Sequence, residues 1–326
     1  MMHKPVLSSG RAGIVLVLLA FAFLPVAAGG QWVKIFTSTG AFTLAAIGAG
    51  FMYARLGMVS LTQVGLMGVG GWITLRLNHG YDMPFEANLL IAAIGTSLFG
   101  MVLALPALRM RGLYLALITL MVAGGLDIVF TAYQFPNGGE GFWGVGTSFA
   151  AEVRRPVIAQ SDRAYLRYAI AVVALGFLLV EWHRRTKPGR AWALIRTSEA
   201  AALASGVNIT LYKTWAFGLS GFLAGLGGGL LAGSLGLLDA ATFRAPESVL
   251  FFALVVVGGA RFWYGALLTA VLYRVAPGLL NNWGVDADLA LVFFGAALLH
   301  AVMSAPDGIA GQINGLFSRK PKAGRP

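Results

Sequence analysis

Thiols, imidazoles and carboxylates set the chemistry open to a chain, and here they are sparse. There is no cysteine, which excludes disulfides, thiol catalysis and cysteine-ligated metals. The four histidines, His3, His79, His183 and His300, show no ligand spacing such as i, i+4, so no metal site is expected. No acid–base pair or nucleophile constellation is present. No G-x-x-x-x-G-K-[ST] loop exists to cradle a nucleotide phosphate. The residues therefore describe neither an enzyme nor an ATPase, and no cofactor is expected in this chain. What does stand out is a handful of polar residues inside apolar runs: Gln63, Asp127, Arg274 and His300. A charge at a helix centre in a bilayer costs about 2.5–3.5 kcal/mol on insertion scales, so each needs an explanation. Asp127 reads as wetted near the outer end of its segment, and Arg274 as snorkelling outward. Gln63 reads either as an interhelical hydrogen bond or as part of a solute path.

The elements that must position these residues follow from composition. Of 326 residues, 58% are hydrophobic and 11% charged, against roughly 25% charged in a soluble domain. A mean hydropathy of +0.76 excludes disorder as well. The expected fold class is all-α: one polytopic transmembrane domain over 1–326, with about ten spanning or partly re-entrant helices. Candidate segments lie near 13–30, 35–54, 57–75, 88–107, 112–131, 165–182, 213–236, 246–260, 262–280 and 289–304. The stretch 246–260 is short and starts at a proline, so it reads as re-entrant or broken. Five glycines make 57–75 a candidate for irregular backbone. The amino terminus has signal-peptide grammar, but its apolar run is nearly long enough to span, and a retained helix is expected.

The net charge is +11. Sixteen of the 24 Lys and Arg fall in one alternating set of loops, which includes 183–212 and a basic tail at 305–326. That asymmetry places both termini and these two segments in the cytoplasm, with 131–165 outside. No basic stretch carries the interleaved aromatics of a nucleic-acid site, so no nucleic-acid partner is expected; the lipid bilayer is.

Within 183–212, residues 190–196 form a short amphipathic helix by pattern. Ser198 caps a second one, Glu199–Ala204, and Gly206 ends it. Pro188 and Gly189 read as ending whatever precedes. Two short helices at an angle make a knob standing off the membrane, either a docking element or a plain connector. Farther on, Gly221, Gly225, Gly229 and Gly233 recur at i, i+4, a stripe for close helix packing. Outside, Asn137-Gly138-Gly139-Glu140-Gly141 forms a turn with one acid.

These residues carry a resemblance. The 183–212 loop resembles the coupling loop of ABC importer permeases. The stretch 189–229 is similar to permeases of branched-chain amino acid (Leu/Ile/Val) importers, the M-type subunit that pairs with an H-type one. Gly57-Met58-Val59-Ser60-Leu61-Thr62-Gln63, Gly112-Leu113-Tyr114-Leu115, the 137–141 turn and 246–259 are similar in kind. There are departures: seven positions rather than six separate Glu199 from Gly206, and Thr62 stands where glycine is usual.

The resemblance implies a bacterial inner-membrane importer with a second homologous permease, two ATP-binding subunits that hold the ATP, and a periplasmic solute-binding protein. It implies Arg190, Arg196, Glu199, Ala200, Ala201 and Gly206 as the ATPase coupling residues. It implies Ser60, Gln63, Tyr114, Asn137 and Glu140 along the substrate path. Related permeases serve urea, short amides or other amino acids. An ion-coupled transporter would need more intramembrane acids than Asp127 supplies.

The orientation is directly testable, because single cysteines can be added without background. A cysteine at Ser198 should react only from the cytoplasm and one at Ser161 only from outside. The opposite labelling pattern overturns the topology.

Overall fold

The computed structural model describes residues 10–81, 83–107, 110, 112–137, 153–284, 295–296 and 308–318. Among them every regular element is helical. The order is α1 Gly10–Ala27, α2 Gln31–Leu56, α3 Gln63–Tyr81, α4 Phe85–Ala107, α5 Leu113–Tyr133 and α6 Asp162–Arg185. Then come α7 Lys187–Thr197, α8 Glu199–Ala204, α9 Ile209–Leu235, α10 Ala245–Gly258, α11 Trp263–Asn282 and α12 Gly308–Ser318. Residues Val271–Val275 of α11 form a π-helical turn.

Six of these helices are long and apolar enough to cross a bilayer: α2, α4, α5, α6, α9 and α11. The expected count of about ten is thus not reached. The segment near 289–304 falls outside the described residues apart from two positions. α10 has only 14 residues, and α3 combines many glycines with Gln63, Arg76 and Asn78. The segment expected over 57–75 is divided: residues 57–62 are not helical, and α3 starts at Gln63.

The spans form an inner pair and an outer ring. The apolar windows of α9 and α2 are 89% and 83% buried, while those of α4, α5, α6 and α11 are between 28% and 33% buried. The outer faces present leucine, isoleucine, valine and methionine, as at Leu98, Val102, Met121, Ile128 and Leu178. That is the composition lipid tails and apolar neighbours accept.

Burying α9 among α2, α3 and α4 requires backbones to touch. A Cβ built on Gly221 would come to 2.6 Å from the carbonyl oxygen of Thr96 in α4, and one on Gly225 to 2.9 Å from that of Ala92. On Gly229 it would meet Leu89 and Thr74, and on Gly233 the Tyr165 hydroxyl and Phe85. Between these, Gly228 faces the Met67 carbonyl of α3 and Gly227 the Ala41 carbonyl of α2. Three different helices therefore each close on a glycine of α9.

The polar residues inside the spans have specific partners. Asp127 of α5 is only partly exposed, and its Oδ2 accepts the Ala245 backbone N–H at 3.1 Å. It sits at the positive end of α10, where a carboxylate is favoured. Arg274 does not snorkel outward. Its Nε donates to Ser38 Oγ at 3.2 Å, and its guanidinium lies 5.4 Å above the Phe42 ring. At the far end of the chain, α12 packs under the α10–α11 turn, where Tyr264 donates to the Ala310 carbonyl.

The glycine contacts make a graded prediction. Gly225→Leu should lower the melting temperature of the purified protein sharply or abolish folded yield, since overpacking costs about 1–3 kcal/mol or more. Gly124→Ala in α5, with open space at its Cβ, should leave the melting temperature within about a degree or two. Equal behaviour of the two variants would mean that α9 is not held by backbone contact.

Candidate functional site

The knob forms because its sequence supplies both of its turns. α6 ends at Arg185, Thr186 is extended, and α7 begins at once. Pro188 therefore does not end a helix but occupies the first turn of α7, where its missing N–H costs nothing. Gly189 is likewise inside α7, since a Cβ there would sit 2.1 Å from the Arg184 carbonyl oxygen. At the second turn, Ser198 Oγ accepts the Ala201 N–H at 3.2 Å and caps α8. Gly206 then takes a φ of +76°. Val207 N–H reaches the Ala202 carbonyl at 2.9 Å, closing the helix end.

The knob is fastened to the bundle by three side chains. Trp192 of α7 is buried, packs on Phe51 of α2 and donates its indole N–H to the Tyr212 carbonyl of α9 at 2.9 Å. Arg196 hydrogen-bonds the Tyr53 and Ala54 carbonyls in the last turn of α2. Glu199 accepts from Lys213 Nζ of α9 at 2.7 Å, with the lysine side chain only 6% exposed. A second apolar core, including Met52, Ile195, Ala202, Ala216 and Phe217, fills the space beneath.

The outward side of the knob is left bare. Arg190, Ala200, Ala201 and Gly206 are exposed, and Leu203 is 62% exposed at its tip. Of the six residues the coupling loop suggested, Arg196 and Glu199 also act inward, on α2 and α9. Lys213, Trp192 and Tyr212 complete the attachment. Sequence pattern does not single them out, because their partners are 14 to 20 residues away.

A second polar group lies deeper. After α2 ends, residues 57–62 run back alongside it, so that Gln63 meets Gly48, whose Cβ would lie 2.7 Å from Gln63 Nε2. Eight helical residues separate Gly48 from Leu56, a climb of about 12 Å. Non-helical backbone at that depth must be satisfied by protein. Thr119 Oγ1 accepts the Leu61 N–H at 3.0 Å, and Ser60 and Thr62 share a hydroxyl hydrogen bond. Gln63 donates to the Ser220 carbonyl and accepts from the Ser220 hydroxyl. Ser60 and Gln63 are thus brought together. Tyr114 stands apart on the first turn of α5, 70% exposed.

Asn137 belongs to neither group. Its side chain donates to the Leu238 carbonyl and accepts the Leu238 N–H, both at 2.9 Å. Asn78 makes the same reciprocal pair with Arg154, and Arg155 holds the Gly233 and Ser234 carbonyls and Asp162. These contacts strap the 131–165 segment to the bundle. Glu140 lies outside the described residues. No group of three or more His, Asp and Glu able to hold a metal occurs among the described residues.

A bundle with six helices long and apolar enough to cross a membrane, and a two-helix knob at one end, describes a polytopic membrane protein. A family model described as "Branched-chain amino acid transport system / permease component" matches residues 31–302, and the chain belongs to that family. It is a transport component rather than an enzyme. Among relatives, the high-affinity branched-chain amino acid transport system permease protein LivM of Salmonella typhimurium is 27% identical over 301 residues, 85% of this chain and 69% of its own length. LivM of Escherichia coli is 26% identical over 320 residues, 91% and 73% of the two chains. The ribose import permease protein RbsC of Bacillus subtilis is 28% identical over 204 residues, 60% and 59%. No solved structure matches the chain.

The Glu199–Lys213 pair generates a test of how the knob is held. Lys213 is nearly buried, so Glu199→Gln leaves a cation without its counter-charge, at a cost of about 1–3 kcal/mol. Hydrogen exchange over 187–208 should quicken several-fold, and Lys213→Met in the same background should restore most of the protection. Unchanged exchange in Glu199→Gln would show that the pair does not hold the knob.

Proposed function

We propose that this chain is the permease subunit of an ATP-driven importer for branched-chain amino acids in a bacterial inner membrane. Both termini lie in the cytoplasm. A second, homologous permease completes the translocation path, a periplasmic solute-binding protein delivers the substrate, and two cytoplasmic subunits bind ATP. The family match and the named substrate of the LivM relatives support this reading.

The observation that carries it is the knob. A small apolar tip, Ala200, Ala201 and Leu203, is exposed on a segment whose other side is fixed to α2 and α9. Small side chains allow a cleft on a partner to close around α8 without clash. Because the attachment is rigid, a displacement of α8 moves the ends of α2 and α9, the two most buried spans. Arg190 adds an exposed positive charge beside the tip. In this scheme Glu199 and Arg196 work from behind, keeping the tip in place. Along the path, Ser60 and Gln63 mark the point where the backbone leaves helical form, as transporters do at solute sites; Tyr114, Asn137 and Glu140 are the other path residues of this reading.

The test uses the exposed tip rather than the internal pair. Leu203→Asp or Ala200→Asp should leave insertion and melting temperature near wild type while leucine uptake falls about tenfold or more, the equivalent of about 1.4 kcal/mol at the interface. ATP-binding subunits should be lost from the purified complex in the same variants. Wild-type uptake and wild-type co-purification would reduce the knob to a connector.

A further inference from the structure

Glu247 and Arg274 carry opposite charges and are linked through Tyr273, with no direct ion pair between them. Arg274 lies in the π turn of α11, and apart from its Nε bond to Ser38 and its stacking on Phe42 it has no protein partner among the described residues. Among the described residues, its two terminal guanidinium nitrogens find no hydrogen-bond partner. Glu247 is in the first turn of α10, and one of its oxygens accepts the Tyr273 hydroxyl at 2.6 Å. Its second oxygen finds no hydrogen-bond partner among the described residues. The two residues are within electrostatic range of each other. Yet the ion pairs of the described residues lie elsewhere, at Arg155–Asp162, around Glu181 and at Glu199–Lys213.

Both side chains are half-buried, above a buried aromatic group. Phe42 and Phe251 are fully buried and Tyr273 nearly so, and their ring centres stand 4.7 to 5.7 Å apart. These rings form an apolar floor beneath both charges. A purely structural role is served more cheaply by apolar residues. The π turn adds one residue to a helical turn and so shifts Tyr273 and Arg274 out of regular register; such bulges concentrate at functional sites. The cluster is far from the knob: Ser38 precedes Ala54, whose carbonyl Arg196 holds, by a helical rise of about 24 Å.

We propose that Arg274 and Glu247 form a subsite for the zwitterionic head of a free α-amino acid, the guanidinium receiving the carboxylate and Glu247 the ammonium. The proposal rests on the reading of this chain as an amino-acid permease and deepens it. An amino acid entering a helix bundle loses the hydration of two ions, and fixed opposite charges replace it. A solute lacking either charge leaves a protein ion unpaired and is rejected. The aliphatic side chain is not read here, so this subsite recognises the class of α-amino acids and not one member.

The test is photolabelling of the complete importer in membrane vesicles, with a leucine analogue that carries a diazirine in its side chain and keeps both charged groups. Label should appear on peptides containing Phe42, Phe251 or residues 270–280. Labelling should fall about tenfold or more in Arg274→Gln and in Glu247→Gln. It should recover in part in Arg274→Lys, which keeps the charge. Membrane abundance and ATPase co-purification check that each variant is assembled.

A second arm needs no variant. With the binding protein omitted, so that its own selectivity does not enter, leucine should compete for the label. Leucinamide, which lacks the carboxylate, and 4-methylpentanoate, which lacks the ammonium, should compete about tenfold less well. Label on other peptides, or equal competition by the three compounds, overturns the subsite. If that happens while the wild-type importer takes up leucine, only the subsite falls. An assembled wild-type importer that takes up no branched-chain amino acid removes the transport reading and the subsite together.

Discussion

Backbone-to-backbone contact along α9 is the constraint on which the rest of the structure depends. Lipid tails are as apolar as leucine, so burial alone does not hold helices together in a bilayer. What remains is close packing, and the glycines of α9 supply it on three sides: Gly227 toward α2, Gly228 toward α3, and Gly221, Gly225, Gly229 and Gly233 toward α4. Because α9 is enclosed, the helices around it can keep their outer faces largely apolar. The same enclosure shelters the non-helical stretch before α3, which would be untenable in contact with lipid.

The knob is an extension of that axle. α9 begins at Ile209, and its first two turns supply the Tyr212 carbonyl, Lys213, Ala216 and Phe217 to the contacts beneath α7 and α8. Arg196 ties the same assembly to the last turn of α2. The two most buried spans are therefore both joined to the knob, as is α6, which leads straight into α7. The opposite end is tied down in a different way. Asn78, Asn137 and Arg155 each hold backbone groups of a distant segment, so the bundle ends are fixed by side chains and its middle by glycine.

Placement explains residues that look anomalous in the chain. Asp127 is an acid inside a span, and it satisfies the start of a short helix 118 residues away. Gln63 has both amide atoms engaged by Ser220. Arg274 and Glu247 differ in kind: both are half-buried, and each keeps part of its hydrogen-bonding capacity unused among the described residues.

The membrane class, the all-helical character, the two short helices of the knob and the spacing of the α9 glycines are legible in the sequence, because each depends on composition or on neighbours within a few residues. Ser198 as a cap and Gly206 as a stop are local in the same sense. Six helices long and apolar enough to span stand among the described residues; the shortness of α10 was legible, but hydropathy counts apolar runs and does not see that α3 starts only at Gln63. Pro188 and Gly189 were misread as breakers, because Pro188 fits the first turn of a helix and Gly189 answers to the Arg184 carbonyl. Only the tertiary structure decided which side of the knob is bare, that Arg196 and Glu199 also face inward, and that Ser38, Glu247, Tyr273 and Arg274 meet. Those contacts join residues up to 236 positions apart, and no periodicity in a single chain encodes a distance that only packing creates.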